Sequence, residues 1–450
     1  MNKGKKRAFT ITELVIVIAV VAILAAVLIP TFSNVVNKAN MSADEQAVRL
    51  FNVALKSDEA LNGVPVNPKD AMAVLTDAGF SIEGYHAVYS QNTLYWDKSS
   101  NLVLIYTQGQ GVTYPSELKD KYKDEQSDNL PEFWYEVKDA YKITVLDEET
   151  TFETAIGSLE DGETLQLLNN VSIPVYTFTG KSYEIDLNGN SITFENTTGI
   201  SVEGKASVVF RNGSISMAGQ EDLSKSGASI KTNSSITVEN VNVTAKNSAF
   251  FPNGDAAQVN IINSKVSAGL YCVGTNAATS DNYNVNIKIE NSTLVSNNSL
   301  GDSIPVTINV PGSLSIIDSV IEGQRQGVMV RAGDAVIENT TIKTTCEYGN
   351  LDQYLSGSWG SGNEVPAFAL VVGNNNGNYN ADANVTLKNV TLAGLATDST
   401  VTNRKCLISA NDNYKSNVTI IGSNLLESEI YQQFGGAKVE SSEQITITVN

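Results

Sequence analysis

Glu13 is the only charged residue in an apolar stretch near the start of this 450-residue chain. Residues 14–29 carry no charge, and four cations precede the stretch: Lys3, Lys5, Lys6 and Arg7. A charge inside a membrane helix costs roughly 2.5–3.5 kcal/mol, so this carboxylate needs a role. An amine close by would stabilise it, because opposite charges are tolerated together where either alone is expensive. The pattern predicts a functional carboxylate at the mouth of a membrane segment.

Ala8 and Phe9 lie between the cations and this stretch, and counting from Phe9 makes Glu13 the fifth residue and Pro30 the twenty-second. The arrangement resembles type IV prepilins and pseudopilins. The resemblance implies that a prepilin peptidase/methyltransferase cuts between Ala8 and Phe9 and methylates Phe9. It also implies that Glu13 neutralises the new amine, its own or a neighbouring subunit's, during assembly. The family usually has Gly where Ala8 stands, which predicts less efficient cleavage. An ordinary signal peptide or a plain membrane anchor is the alternative.

Apolar residues continue beyond Pro30 at steps of three and four, namely Phe32, Val36, Ala39, Ala43, Ala47, Leu50 and Ala54. This spacing predicts one helix over residues 9–62, which Pro30 kinks or locally melts. A membrane anchor followed by a separate amphipathic helix is the alternative. The leader cations predict a single pass through the cell membrane with the C-terminus outside. The resemblance to pilins implies a later place in a surface filament.

A small head and a junction are predicted next. Residues 63–118 combine a short helix capped by Asn67 with a hairpin of residues 93–96 and 102–106, and loosely resemble small pilin heads of Gram-positive bacteria. The hairpin's aromatic residues are expected to pack against the long helix. His86, the only histidine, is expected to be structural or solvated. Residues 119–150 are interpreted as a junction.

Residues 151–450 repeat alternating apolar residues around a turn residue. The turn residues Asn212, Asn240, Asn263, Asn291, Asp318 and Asn339 are 28, 23, 28, 27 and 21 residues apart. Three short strands per repeat predict a right-handed parallel β-helix of about nine or ten coils. The fold class is therefore α+β with several domains, and an antiparallel sandwich is the alternative. Sequons such as Asn242-Val243-Thr244 and Asn389-Val390-Thr391 are interpreted as a turn asparagine followed by strand residues.

No catalytic, metal-binding or cofactor-binding site is predicted in the repeat. Pectin hydrolases with this fold use a Gly-His-Gly, and no histidine follows His86. The Arg-x-Pro-x-x-Arg stretch of the lyases is also missing, although two carboxylates could still meet across coils. Cys272, Cys346 and Cys406 are too few and too scattered for a disulfide scaffold or a zinc site. Cys272 and Cys406 are expected about four coils apart and therefore not bonded to each other.

Ligand-binding candidates are the aromatic residues of an insertion at 345–366 and two arginines of one coil: Tyr348, Tyr354, Trp359, Arg325 and Arg331. A tolerated loop and a solvated face are the plainer interpretations. The formal charge of −19 argues against nucleic acid as the main partner. The sequence thus predicts a minor or tip pilin-like subunit that displays a non-catalytic β-helix for adhesion, with the peptidase, other pilin subunits, the membrane and surface glycans as partners. A membrane-tethered polysaccharide enzyme and a pseudopilin of a secretion or DNA-uptake system are the alternatives.

Overall fold

The structure is a computed structural model. It describes residues 11–123, 130–131, 133–140, 142–146, 150–195, 199–219, 229–275, 284–297, 303–345, 368–373, 381–394, 405–435 and 437–450. The chain forms two compact units, Met1–Thr144 and Val145–Asn450, and their boundary lies inside the predicted junction.

The first unit combines a long helix with a small antiparallel sheet. The order of its strands is β3 (Gly111–Tyr114), β2 (Leu102–Thr107), β1 (Asn92–Asp97) and β4 (Trp134–Glu136). Asn67 caps the second helix by accepting a hydrogen bond from the Asp70 backbone N–H at 2.9 Å. The predicted hairpin is confirmed as the pair β1–β2, and β4 pairs with β1, so the sheet uses residues beyond 118. The elements are α1 Ile11–Asn62, α2 Pro68–Asp77, β1 Asn92–Asp97, β2 Leu102–Thr107, β3 Gly111–Tyr114, α3 Ser116–Lys121, β4 Trp134–Glu136 and α4 Val137–Ala140.

The aromatic residues of the hairpin divide between the two faces of this sheet. Tyr95 and Tyr106 pack with Trp134 and Leu118 in a cluster that contains no α1 residue. Trp96, next to Tyr95, is fully buried and donates from Nε1 to Asn101 Oδ1 at 3.0 Å. Successive side chains of a strand point to opposite faces. The prediction that the aromatic residues together pack against the long helix is therefore wrong for Tyr95.

The second unit begins with helix α5, Phe152–Ser158, which Thr151 caps by accepting a hydrogen bond from the Thr154 N–H at 3.2 Å. Strand Ile143–Leu146 spans the boundary between the units. Beyond α5 the chain visits three stacks of strands in turn, and each strand pairs in parallel with the equivalent strand of the next repeat. The only antiparallel pair described in this unit is the hairpin that joins strand Ile430–Phe434 to Ala437–Lys438. The antiparallel sandwich is thereby contradicted.

Two long strands, Ser207–Met217 and Ser235–Ala245, run through the first and second stacks. The first stack also contains Thr164–Leu167, Ser182–Asp186, Gln258–Ile262, Val285–Glu290, Gly312–Ile317, Gly333–Glu338, Ala383–Lys388, Ser416–Ile421 and Ile445–Val449. The second also contains Val171–Ile173, Ser191–Phe194, Lys265–Ala268, Thr293–Ser296, Val320–Gly323, Thr341–Thr344 and Thr391–Gly394. The third contains Tyr176–Thr179, Ile200–Glu203, Ile230–Thr232, Phe250–Pro252, Val273–Gly274, Val306–Ile308, Val328–Val330, Leu370–Gly373, Cys406–Ala410 and Ile430–Phe434.

The corner between the first two stacks is formed by an asparagine ladder of left-handed residues: Asn212, Asn240, Asn263, Asn291, Asp318, Asn339 and Asn389, at φ between 46° and 57°. Asparagine tolerates this backbone better than most residues. Along the ladder, the Asn240 amide donates to Asn212 Oδ1 at 3.1 Å and the Asn291 amide to Asn263 Oδ1 at 2.8 Å. The predicted turn positions are confirmed. Asn242 is instead an exposed strand residue, so its interpretation as a turn residue was wrong.

A second ladder follows one residue later and bonds buried backbone groups. Ser264 N–H donates to Ser292 Oγ at 3.0 Å, and Ser292 N–H donates to Ser319 Oγ at 3.1 Å. Inside the stacks lies one continuous apolar core of valine, isoleucine, leucine and phenylalanine. Cys272 and Cys406 are buried free thiols, as the predicted separation requires. Burial raises the pKa of both thiols far above its usual value.

Candidate functional site

Helix α1 has two halves with opposite environments. Its described large apolar side chains from Ile11 to Val36, which leave out Val27, are 50–83% exposed. An 18-residue window of α1 has a mean hydropathy of 3.1 and is 0% buried, so the helix is long and apolar enough to cross a membrane. Removing apolar surface from water is favourable by about 25 cal/mol of free energy per Å². This half therefore requires lipid or other helices around it.

Glu13 lies in the first turn of α1, within this exposed apolar half. A carboxylate in the first turn is favoured by the positive end of the helix dipole. Ala8 and Phe9, the predicted cleavage pair, lie outside the residues that the structure describes.

Pro30 lies inside α1, and the helical backbone continues through it from Ile11 to Asn62. The expected local melting at Pro30 is therefore absent, and a separate second helix is contradicted. A proline removes only one backbone donor, and the remaining helical hydrogen bonds on both sides are enough to keep the helix continuous.

The second half of α1 is held against the rest of the first unit by six side chains. We name these side chains and their partners the clasp: Asp44, Val48, Phe51, Asn52, Leu55 and Glu59. Val48, Phe51 and Leu55 are at most 2% exposed. The Phe51 ring meets Phe80 and Tyr85 edge to face, at 4.9 and 5.4 Å between centroids. The predicted stripe is therefore not the buried face, since Leu50 is 54% exposed.

Asp44 marks the beginning of the clasp and is fully buried. Its carboxylate accepts hydrogen bonds from the backbone N–H groups of Val88 at 2.6 Å and Tyr89 at 3.0 Å. It also accepts one from Asn92 Nδ2 at 2.8 Å. Three donors compensate much of the cost of burying this charge. Burial and then the charge of Asp44 raise the pKa of the Tyr85 phenol.

Asn52 and Glu59 join α1 to the sheet further along. The Asn52 amide donates to Val103 O at 2.9 Å, and Asn52 Oδ1 accepts from Val103 N–H at 2.6 Å. Glu59 accepts from Lys56 Nζ at 2.7 Å and from Asn101 Nδ2 at 2.9 Å. Asn101 in turn accepts from the buried Trp96. The clasp thus fixes α1 against β2 by bonds to both backbone and side chains.

Sequence reasoning missed Asp44, Asn52 and Glu59. They share one face of α1 with Val48, Phe51 and Leu55, at steps of three and four. A polar residue between large apolar ones at this spacing was the available signal.

Of the predicted ligand-binding residues, the structure describes the two arginines. Arg331 is 1% exposed, and its backbone N–H donates to Ile308 O at 2.8 Å. Arg325, three residues before strand Val328–Val330 in the chain, is half-buried. Tyr348, Tyr354 and Trp359 lie outside the described residues. Among the described residues, no three histidine, cysteine or acidic side chains are grouped so that they could hold a metal ion.

The N-terminal segment matches a known protein family. A family model described as the prokaryotic N-terminal methylation motif matches residues 3–29. Comparisons with curated proteins and with solved structures gave no match. The motif and the apolar helix together support a membrane-anchored subunit similar to type IV pilins and pseudopilins. The motif implies processing by a prepilin peptidase and assembly with other pilins.

Proposed function

We propose that this protein is a minor or tip subunit of a type IV pilin-like filament and displays a non-catalytic β-helix for adhesion or binding. The observation that carries the proposal is the methylation motif on helix α1, whose first half is exposed and apolar and whose second half is held by the clasp. An exposed apolar half suits first a bilayer and then a bundle of subunit helices. The clasp fixes the other half, so that α1 moves with its head.

The proposed chemistry begins with cleavage between Ala8 and Phe9 and methylation of the Phe9 amine. Inside a filament this ammonium and the Glu13 carboxylate compensate each other, since each is costly alone in an apolar bundle. The site keeps a small residue, Ala8, before the cut.

The second unit is proposed to be a right-handed parallel β-helix. Three parallel stacks visited in sequence and a tight asparagine corner support this assignment. The handedness is inferred from the strong preference of parallel crossovers for right-handed connections. So large a unit suits a rare or terminal subunit, because the common subunits of a filament wall must pack closely.

The test of the proposal is the Glu13→Ala variant expressed in the native cells. We expect processing and membrane insertion to continue while the variant is lost from sheared filaments. Glu45→Ala, a change in the same helix outside the apolar half, is the matched control and is expected to assemble. A Glu13→Ala protein that enters filaments as well as the parent would contradict the assigned role.

A pseudopilin shares the same N-terminal features, so the phenotype of a deletion strain separates the two. Loss of filaments supports the pilin assignment. Loss of export or DNA uptake with filaments intact supports the pseudopilin.

The non-catalytic role has its own assay. The protein is incubated with pectins, alginate, chitin and peptidoglycan. No turnover is expected, because no histidine follows His86. Turnover that disappears when one Asp or Glu is changed would instead establish the polysaccharide enzyme.

A further inference from the structure

The outer face of the first stack ends in a regular patch of hydroxyl and amide groups. Three neighbouring strands, Ala383–Lys388, Ser416–Ile421 and Ile445–Val449, are paired in parallel and in register. We name the six outward side chains of these strands the hydroxyl–amide patch: Asn384, Asn417 and Thr446 in one row, and Thr386, Thr419 and Thr448 in the other. Alternate residues between them, such as Val385 and Val418, point into the core.

The asparagine row is held in place by its own hydrogen bonds. The Asn417 amide donates to Asn384 Oδ1 at 2.7 Å, and the Asn384 amide donates to Asp334 Oδ1 at 2.8 Å. A row fixed in this way loses little conformational freedom when a ligand binds, because the side chains are already ordered. The patch is therefore pre-organised on its asparagine side.

The threonine row offers hydroxyl groups. Within the part of the chain that the structure describes, no hydrogen bond joins the Thr386, Thr419 or Thr448 hydroxyl to another protein group. Thr448 is exposed and the other two are half-exposed. Each hydroxyl can donate one hydrogen bond and accept others.

The charge and the spacing of the patch select the class of ligand. None of its six side chains is charged, and beside it Lys388 is paired with Glu338 at 3.5 Å. The chain as a whole carries −19, which repels polyanions. Neighbouring strands of a sheet lie about 4.8 Å apart, so the two rows present one pair of polar groups at each step. The rings of an extended β-1,4-linked glycan repeat at nearly the same interval.

We propose that the hydroxyl–amide patch binds a neutral, extended polysaccharide whose sugar rings follow the rows from strand to strand. This inference rests on the proposed display function and names its ligand class. Each contact is an ordinary hydrogen bond, so a single site is weak. The polymer repeats the same ring many times, so it offers the patch many equivalent binding positions, and a cell that carries several filaments can engage one polymer at several points.

The experiment is a pull-down of the full-length protein with insoluble cellulose and chitin, and with insoluble calcium pectate as the anionic comparison. The variant Thr386→Val/Thr419→Val removes two hydroxyls and keeps the β-branched shape that suits a strand. Thr244→Val/Thr341→Val, outward threonines of the second stack, is the matched control. We expect the parent and the control to bind a neutral polymer, and the patch variant to bind about tenfold more weakly, as for two lost hydrogen bonds.

Three results would overturn the inference: no binding of the parent to either neutral polymer, an equal loss in the control, or preferential binding to pectate. Self-association of the parent that depends on Thr386 and Thr419, without polymer binding, would assign the patch to a second copy of the chain and also overturn it. Filament incorporation is measured separately, and neither variant touches α1. A failure of binding is therefore distinguishable from a failure of the pilin assignment.

Discussion

The clasp of the first unit and the asparagine ladder of the second both use short polar side chains to bond neighbouring groups, but they distribute those bonds differently. In the clasp, Asp44 alone binds three groups from residues 88–92, far away in sequence. In the ladder, the Asn291 side chain bonds to Asn263, its equivalent in the preceding repeat.

This difference predicts how much a single substitution destabilises each unit. A group in the clasp has no equivalent in a neighbouring repeat, so its loss leaves several partners without their hydrogen bond. A residue of the asparagine ladder has an equivalent in each neighbouring repeat. The stability of a repeat protein is approximately the sum of the stabilities of its repeats and of the interfaces between neighbouring repeats. Substitutions in the clasp are therefore expected to cost more than substitutions in the ladder.

The largest effect is expected for Asp44→Ala. The change leaves two backbone N–H groups and the Asn92 amide without their acceptor, and a hydrogen bond to a charged group contributes about 1.5–3 kcal/mol. We expect a loss of about 3 kcal/mol or more in the free energy of unfolding of the first unit. Urea unfolding in detergent followed by tryptophan fluorescence measures it, because Trp96 and Trp134 are both buried in this unit.

Glu45→Ala, at the next position of α1, is the control and is expected to change this free energy by less than about 0.5 kcal/mol. Equal effects of the two substitutions would contradict the claim that the three hydrogen bonds of Asp44 stabilise the first unit.

A smaller loss is expected for Asn52→Ala, about 1–2 kcal/mol, because the amide bonds both the N–H and the C=O of Val103. The matched control is Asn62→Ala, because the exposed Asn62 side chain bonds only Asp58. The same fluorescence assay compares the two, and a control as damaging as Asn52→Ala would show that the bonds to Val103 do not set the effect at Asn52.

In the ladder, Asn291→Ala is expected to cost about 1 kcal/mol, since alanine loses the side-chain bond and disfavours a left-handed backbone. Asn291→Gly loses the bond but adopts this backbone freely, so it is expected to cost less than the alanine variant. Circular dichroism of the β-sheet signal during heating ranks the two. The reverse order would mean that the backbone conformation is not what selects asparagine here.

The smallest effect has the opposite sign. Asp318 occupies a ladder position but has no amide to donate to Asn291. Asp318→Asn restores that donor and is expected to raise the free energy of unfolding of the second unit by up to about 1 kcal/mol. The melting temperature is expected to rise with it. Ser315→Asn, on an outward strand position, is the control and is expected to change little. A lower melting temperature for Asp318→Asn would contradict the ladder.

The repeat could be predicted from sequence because its corner depends on local chemistry. A left-handed residue followed by an alternating strand needs an asparagine or a glycine, and their spacing set the repeat length before any contact was known. Asn242 was misinterpreted because its sequon lies only two residues after the true turn residue, Asn240.

The clasp could not be predicted in the same way. Steps of three and four predicted α1 and its continuation through Pro30, but two apolar faces fit that spacing. Which one is buried depends on β2 and residues 88–92, more than 40 positions away in the chain. Sequence reasoning chose the face of Ala43 and Leu50, whereas Val48, Phe51 and Leu55 are the buried residues. The candidate residues 8, 9 and 13 were identified from a motif, which does not depend on tertiary contacts.

The most direct test of the account is mass spectrometry of the N-terminus of the protein purified from its own cells. The pilin-like assignment predicts a mature chain that begins at Phe9 with a methylated amine, and this peptide in the filament fraction. An N-terminus at residue 1, or one beyond residue 20, would contradict the assignment.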